Sequence, residues 1–105
     1  MSPNCAPDLV ERIVTWNSRV DGRCAAGLLS NHAHHDWRPQ IARIGLPTLV
    51  VAGRASLVPW TAARWVAGAI PGARLEIFEP HEGGSHQLTL ENPAKFNGLL
   101  LDFIS

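Results

Sequence analysis

The 105-residue sequence has little that would tie it to a specialised class of protein. Its nine basic and nine acidic residues cancel, so it has no basic stripe for nucleic acid and no polybasic surface for an anionic membrane. Two cysteines, Cys5 and Cys24, are too few for a disulfide framework. Neither has a histidine at a recognisable spacing, and both read as ordinary thiols. No apolar run approaches the ~20 residues of a membrane span. The opening stretch MSPNCAPDL lacks the basic and apolar regions of a signal peptide. There are no internal repeats, low-complexity runs or linkers. What remains is 46% hydrophobic and 17% charged. It reads as a soluble, cytoplasmic, globular chain of one domain at most, near the lower size limit for burying a core.

The periodicity predicts helices first. Residues 7–16 carry Leu9, Val10, Ile13 and Val14 at helical spacing, with Asp8 and Glu11 in the first turn. A weaker helix spans about 21–32, with Asp21 as N-cap and Gly22 and Gly27 working against it. A short helical turn at 38–44 ends at Gly45. The run from Leu46 to Ala52 is continuous, apolar and β-branched, as a parallel strand buried on both faces would be. Pro59 opens a helix with Trp65, Val66, Ala69 and Ile70 on one side, Trp65 packing on the sheet. Residues 74–79 alternate, as an edge strand with one wet face does. A loop at 80–90 leads to a last helix with Asn92 as N-cap, Pro93 first and a stripe from Phe96 to Ile104. Strand, helix, strand with a short spacer implies a parallel pair, hence an α/β class.

In open parallel sheets, sites lie beyond the carboxyl ends of the strands. Two loops qualify, Gly53–Val58 and Pro80–Leu90. The second holds Glu82-Gly-Gly-Ser-His86, where paired glycines permit a sharp turn and a close backbone approach. A histidine presented there suits general base work, set against the plainer reading of an exposed loop histidine.

From Asp36 onward the residues resemble the C-terminal part of an α/β-hydrolase. DWRPQIARIGLPTLVVAG is similar to the approach to that family's penultimate strand, and IPGARLEIF to its last strand. GSHQLTLENPAKFNGLLLDFI is similar to the histidine loop and final helix, with His86, Glu91, Pro93 and Phe96 at the family's offsets. Residues 1–35 resemble, more weakly, the end of a helical cap. The resemblance implies a partial α/β-hydrolase fold, with 1–35 cap-like and 36–105 belonging to the core. It implies that His86 is the triad-type general base and that Glu91 is a structural carboxylate at the helix start. In the intact family the reaction is hydrolysis of an ester, lactone or similar bond, with no cofactor. Non-haem haloperoxidases share the scaffold, so no one substrate is named.

Two departures stand out. Ser56 occupies the position of the family's common triad acid in Gly53-Arg54-Ala55-Ser56. A serine can hydrogen-bond an imidazole but cannot offset its charge. The acid would come from an earlier strand outside these residues, or from Glu82, whose plainer reading is a solvated carboxylate. Nor does any G-x-S-x-G nucleophile elbow occur, and the oxyanion segment is missing too. The expectation is a segment inactive by itself. A different class of reading is a non-catalytic fragment that self-associates, or complements an N-terminal piece, through an exposed sheet edge.

Other groups are weighed alongside. Arg54 could neutralise an anionic group near the site, or be a solvated loop charge. Trp60 could line a pocket for a small ester-like substrate, or simply pack. His32-Ala-His34-His35-Asp36 matches the start of the dizinc signature H-x-H-x-D-H, but Trp37 replaces its last histidine. His32, His34 and Asp36 are therefore weak metal candidates beside the reading of a polar helix end, and no metal is expected.

Overall fold

A computed structural model describes all residues, Met1–Ser105. The elements are α1 (Pro7–Ser18), α2 (Gly22–His34), α3 (Arg38–Ile41), β1 (Leu49–Gly53), α4 (Trp60–Ala69), β2 (Arg74–Phe78), α5 (Leu88–Glu91) and α6 (Pro93–Ile104). The class is α/β, as the pattern predicts. β1 and β2 pair in parallel with Leu49 opposite Arg74 and Gly53 opposite Phe78. The helix between them starts after Pro59 and ends at Ala69, and Gly72, with a positive φ of 73°, turns the chain into β2. Asp21 caps α2 by accepting from the Arg23 and Cys24 amides. Asn92 caps α6 by accepting from the Lys95 amide at 3.1 Å. Each such cap contributes about 1 kcal/mol.

Three details differ from the expectation. The 80–90 segment is not a plain loop. Pro80–Glu82 forms a 3-10 turn closed by a capping box between Glu79 and Glu82, and α5 follows. β1 is only half-buried over Leu49–Ala52, because a two-stranded sheet flanks it with one strand instead of two. Trp65 is 47% exposed and so is not buried against the sheet. It lines a shallow hollow with Trp37 and Ile41.

The core is thin. Its buried hydrophobic residues are Ile13, Ile70, Phe78 and Leu88. The radius of gyration is 15.4 Å, against about 13 Å for a compact chain of this length. Close packing is concentrated where the strands end. A Cβ on Gly53 would lie 2.4 Å from the Gly84 carbonyl oxygen, and a Cβ on Gly84 2.0 Å from the Phe78 oxygen. The Ala55 amide donates to the Gly84 carbonyl at 2.8 Å and the Arg54 amide to Phe78 at 3.0 Å. Only glycines allow this backbone contact.

A carboxylate fastens the far side of the same loop. Glu91 accepts from the Ser2 amide at 2.9 Å, from the Ser2 hydroxyl and from the Ser85 hydroxyl. Burial pushes this carboxyl up, but those three donors outweigh it and hold it below the usual carboxylate range.

Gly84→Ala is expected to destabilise the fold by about 3 kcal/mol or more, since the clash is with backbone. Gly98→Ala, in open space within α6, is expected to stabilise it by about 0.5–1 kcal/mol. Urea unfolding followed by circular dichroism measures both. A second expectation concerns pH. Because the Glu91 carboxyl is depressed in the folded state, its contribution is complete above its ordinary value of ~4.3 and is lost as pH falls through the lower folded value. Protection of the Ser2 amide from hydrogen exchange should therefore fall below pH ~4. Glu91→Gln should flatten that dependence.

Candidate active site

The two strand-end loops meet over β1. In the first, the Ser56 amide donates to the Gly53 carbonyl at 3.1 Å and the Val58 amide to the Ser56 hydroxyl at 3.1 Å. This turn presents Ser56 toward the second loop. There, Gly83 takes a φ of 72°, the Gly84 amide returns to the Glu79 carbonyl at 3.0 Å, and Ser85 is fully buried. His86 follows, exposed, with Nδ1 3.5 Å from the Ser56 hydroxyl. No other protein group bonds the ring, so Nε2 is free.

His86 stands between two hollows. One, of about 370 Å³, is lined by Val51, Gly53, Val58, Leu88 and Phe96. The other, of about 460 Å³, is lined by Met1, Ile13, Leu57 and Val58. Both are small, mostly apolar spaces with an imidazole at the wall, the usual make-up of a small-molecule site. The pair Ser56 and His86 can pass a proton between hydroxyl and ring. Ser56 offers the ring no charge.

The remaining sequence-derived residues are placed as follows. Arg54 turns to Glu79, with Nε 2.8 Å from its carboxylate. It also stacks over Trp60 at 4.5 Å, while Arg64 approaches the same ring at 5.3 Å. The Arg54 hydrogen bonds hold the Glu79 carboxyl below the usual range. Trp60 is thus covered by guanidinium groups and does not line either hollow beside His86. Glu82 turns away from His86 and bonds Lys95 Nζ at 2.8 Å. Lys95, followed by the Glu79 amide, holds the Glu82 carboxyl low.

The histidine-rich helix end lies elsewhere. His32 is exposed, and His34 Nδ1 lies 2.7 Å from the Ser30 carbonyl. Asp36 is gripped by Arg38 through Nε and Nη2, both at 2.9 Å. Those bonds hold its carboxyl down to about 2. His35 stacks on Trp37 with ring centroids 3.8 Å apart. No three His, Cys, Asp or Glu side chains converge in a way that could hold a metal ion.

Ser2 and Ser85 were not legible as site residues. Ser85 had a signal in its place beside His86 in a glycine-rich turn. Ser2 had none, because its partner Glu91 lies 89 positions away.

No family model matches the chain. A protein named "Putative carbamate hydrolase RutD" from Pseudomonas savastanoi pv. phaseolicola is 39% identical over 71 residues, 67% of this chain and 26% of that protein. The protein of the same name from Pseudomonas syringae pv. syringae is 37% identical over 71 residues, again 67% and 26%. The crystal structure of a hydrolase from Pseudomonas aeruginosa PA01 superposes with a TM-score of 0.61 at 36% identity, over 69% of this chain and 26% of that one. The chain thus spans about a quarter of the length of these relatives. Over the matched two thirds of its own length, it belongs to the α/β-hydrolase type of protein.

Proposed function

We propose that this chain is the histidine-bearing segment of a hydrolase acting on an acyl bond of the ester, lactone or carbamate type. His86 is the general base. Its Nε2 takes the proton of a hydroxyl nucleophile as that oxygen attacks the acyl carbon, and returns it to the leaving group. The observation carrying this reading is the arrangement at the strand ends. Nδ1 faces Ser56, at the position of the family's acid, while Nε2 is free beside an apolar hollow. The carbamate option rests only on the name of the relatives. Nucleophile and oxyanion donors come from residues outside these 105, because no serine here stands in a strained strand-to-helix turn. By itself the chain does not hydrolyse substrate.

The sheet supports a second, compatible reading. In the parallel register, Thr48 and Arg54 direct their bonds to β2. The amides and carbonyls of Leu49 and Val51 therefore point to the opposite, unpaired edge of β1. We propose that this edge pairs with a strand from outside the chain, in a second copy or in the remainder of such a hydrolase. A stable monomer at micromolar concentration on size-exclusion chromatography would count against it.

The isolated chain is expected to give no turnover of p-nitrophenyl acetate above buffer. Turnover abolished by His86→Ala but kept by His32→Ala would overturn the expected inactivity. The positive test exchanges the matched segment of the Pseudomonas savastanoi relative for the corresponding residues of this chain. The chimaera is expected to hydrolyse the ester, and His86→Ala within it to lower kcat by about 10²–10⁴-fold. An undiminished rate in that variant would remove His86 from the role of base.

A further inference from the structure

We infer that Glu91 is a positioning residue for His86, acting through the buried hydroxyl of Ser85 and fastened in turn by Ser2. The inference rests on the reading of His86 as general base and extends it to the groups that hold the ring in place.

The argument starts from hydrogen-bond bookkeeping around one side chain. Ser85 is fully buried, so its hydroxyl must be satisfied within the protein. It donates to a Glu91 carboxylate oxygen and accepts from the Gln87 amide at 3.0 Å. The acceptor bond spans His86. The backbone on either side of the histidine is therefore closed into a small ring through the Ser85 side chain. That fixes the direction in which the His86 Cα–Cβ bond leaves the loop, while the side chain itself stays exposed. A neutral acceptor would hold the serine hydroxyl more weakly, because hydrogen bonds to a carboxylate are roughly twice as strong as neutral ones.

Glu91 is itself held from two directions. The Ser2 amide donates to the same carboxylate oxygen as Ser85, and the Ser2 hydroxyl donates to the other. On its own side of the loop, Gly83 approaches so closely that a Cβ there would lie 2.9 Å from the Glu91 Cβ. The carboxylate sits at the end of α5, one residue before the Asn92 cap of α6. Asn92 in turn donates from Nδ2 to the Glu82 carbonyl at 2.9 Å. The chain of contacts runs from the first residues, through Glu91 and Ser85, to the peptide bonds that bear His86. None of these groups reaches Nε2, so none takes part in proton transfer.

The test uses the full 105-residue chain, isotopically labelled, and NMR. In Ser85→Ala, hydrogen exchange at the Gln87 amide should quicken more than tenfold, and the His86 ring signals should shift and broaden as the backbone that aims the side chain loosens. Glu91→Ala should do the same. Glu91→Gln, which keeps one oxygen acceptor, should recover most of the protection. Amides of Val50 and Glu76, which face each other's strand in the sheet, should be unchanged throughout. Unaltered Gln87 exchange and His86 ring signals in both alanine variants would overturn the inference. So would an equal rise at Val50 and Glu76, since the residues would then serve the fold as a whole. Failure of the general-base reading appears separately, as undiminished hydrolysis in the His86→Ala chimaera.

Discussion

The backbone contact between Gly53 and Gly84 is the constraint on which the rest of the site depends. Two chain segments that would ordinarily stay a side chain apart meet at backbone distance. The carbonyl of Gly84 then receives the Ala55 amide, and the loop after β2 is drawn across the end of β1. Ser56 and His86 face each other because these loops cannot separate without breaking main-chain bonds. Any side chain at Gly84 would have to displace the Phe78 carbonyl, which is tied into the strand-end bonding itself.

Around that contact sit polar fasteners of unequal weight. Arg54 with Glu79, and Arg74 with Glu76 and Asp102, are solvent-exposed ion pairs. Pairs of this kind contribute about 0–1 kcal/mol each. They trim the loops but do not hold them. Lys95 with Glu82 is better sheltered, and its ammonium also lies 4.5 Å from the centre of the Phe78 ring. Glu91 differs from all of these. Its partners are neutral donors, one of them fully buried, and it joins segments at opposite ends of the sequence. The loop that bears His86 is thus fastened by backbone bonds and one carboxylate in a molecule whose apolar core is small.

The thin core fits the partial architecture. β1 is apolar throughout yet half-buried, with one edge unpaired, and sixteen large hydrophobic residues are exposed. α2 buries none of its residues, and Leu28 and Leu29 face solvent. The stretch matched to the relatives and the structural neighbour is about a quarter of their length. A strand patterned for burial on both faces has, in these residues, only one strand beside it.

The sequence by itself determined the α/β class, the main helices and strands with their parallel pairing, and the two strand-end loops that carry the candidate site. Those follow from local rules: proline at a helix start, asparagine at a cap, β-branched runs for strands, glycines where the backbone must turn. His86 was legible because its neighbours Glu91, Pro93 and Phe96 fall at fixed offsets along one loop and helix. Tertiary structure alone decided the partners of each charge. It sent Glu82 to Lys95 and Arg54 to Glu79, and left Trp60 beneath two guanidiniums. It also brought Ser2 to Glu91 across 89 positions. Hydrogen bonds and ion pairs over such separations depend on where whole elements come to rest, and no local pattern of residues encodes that.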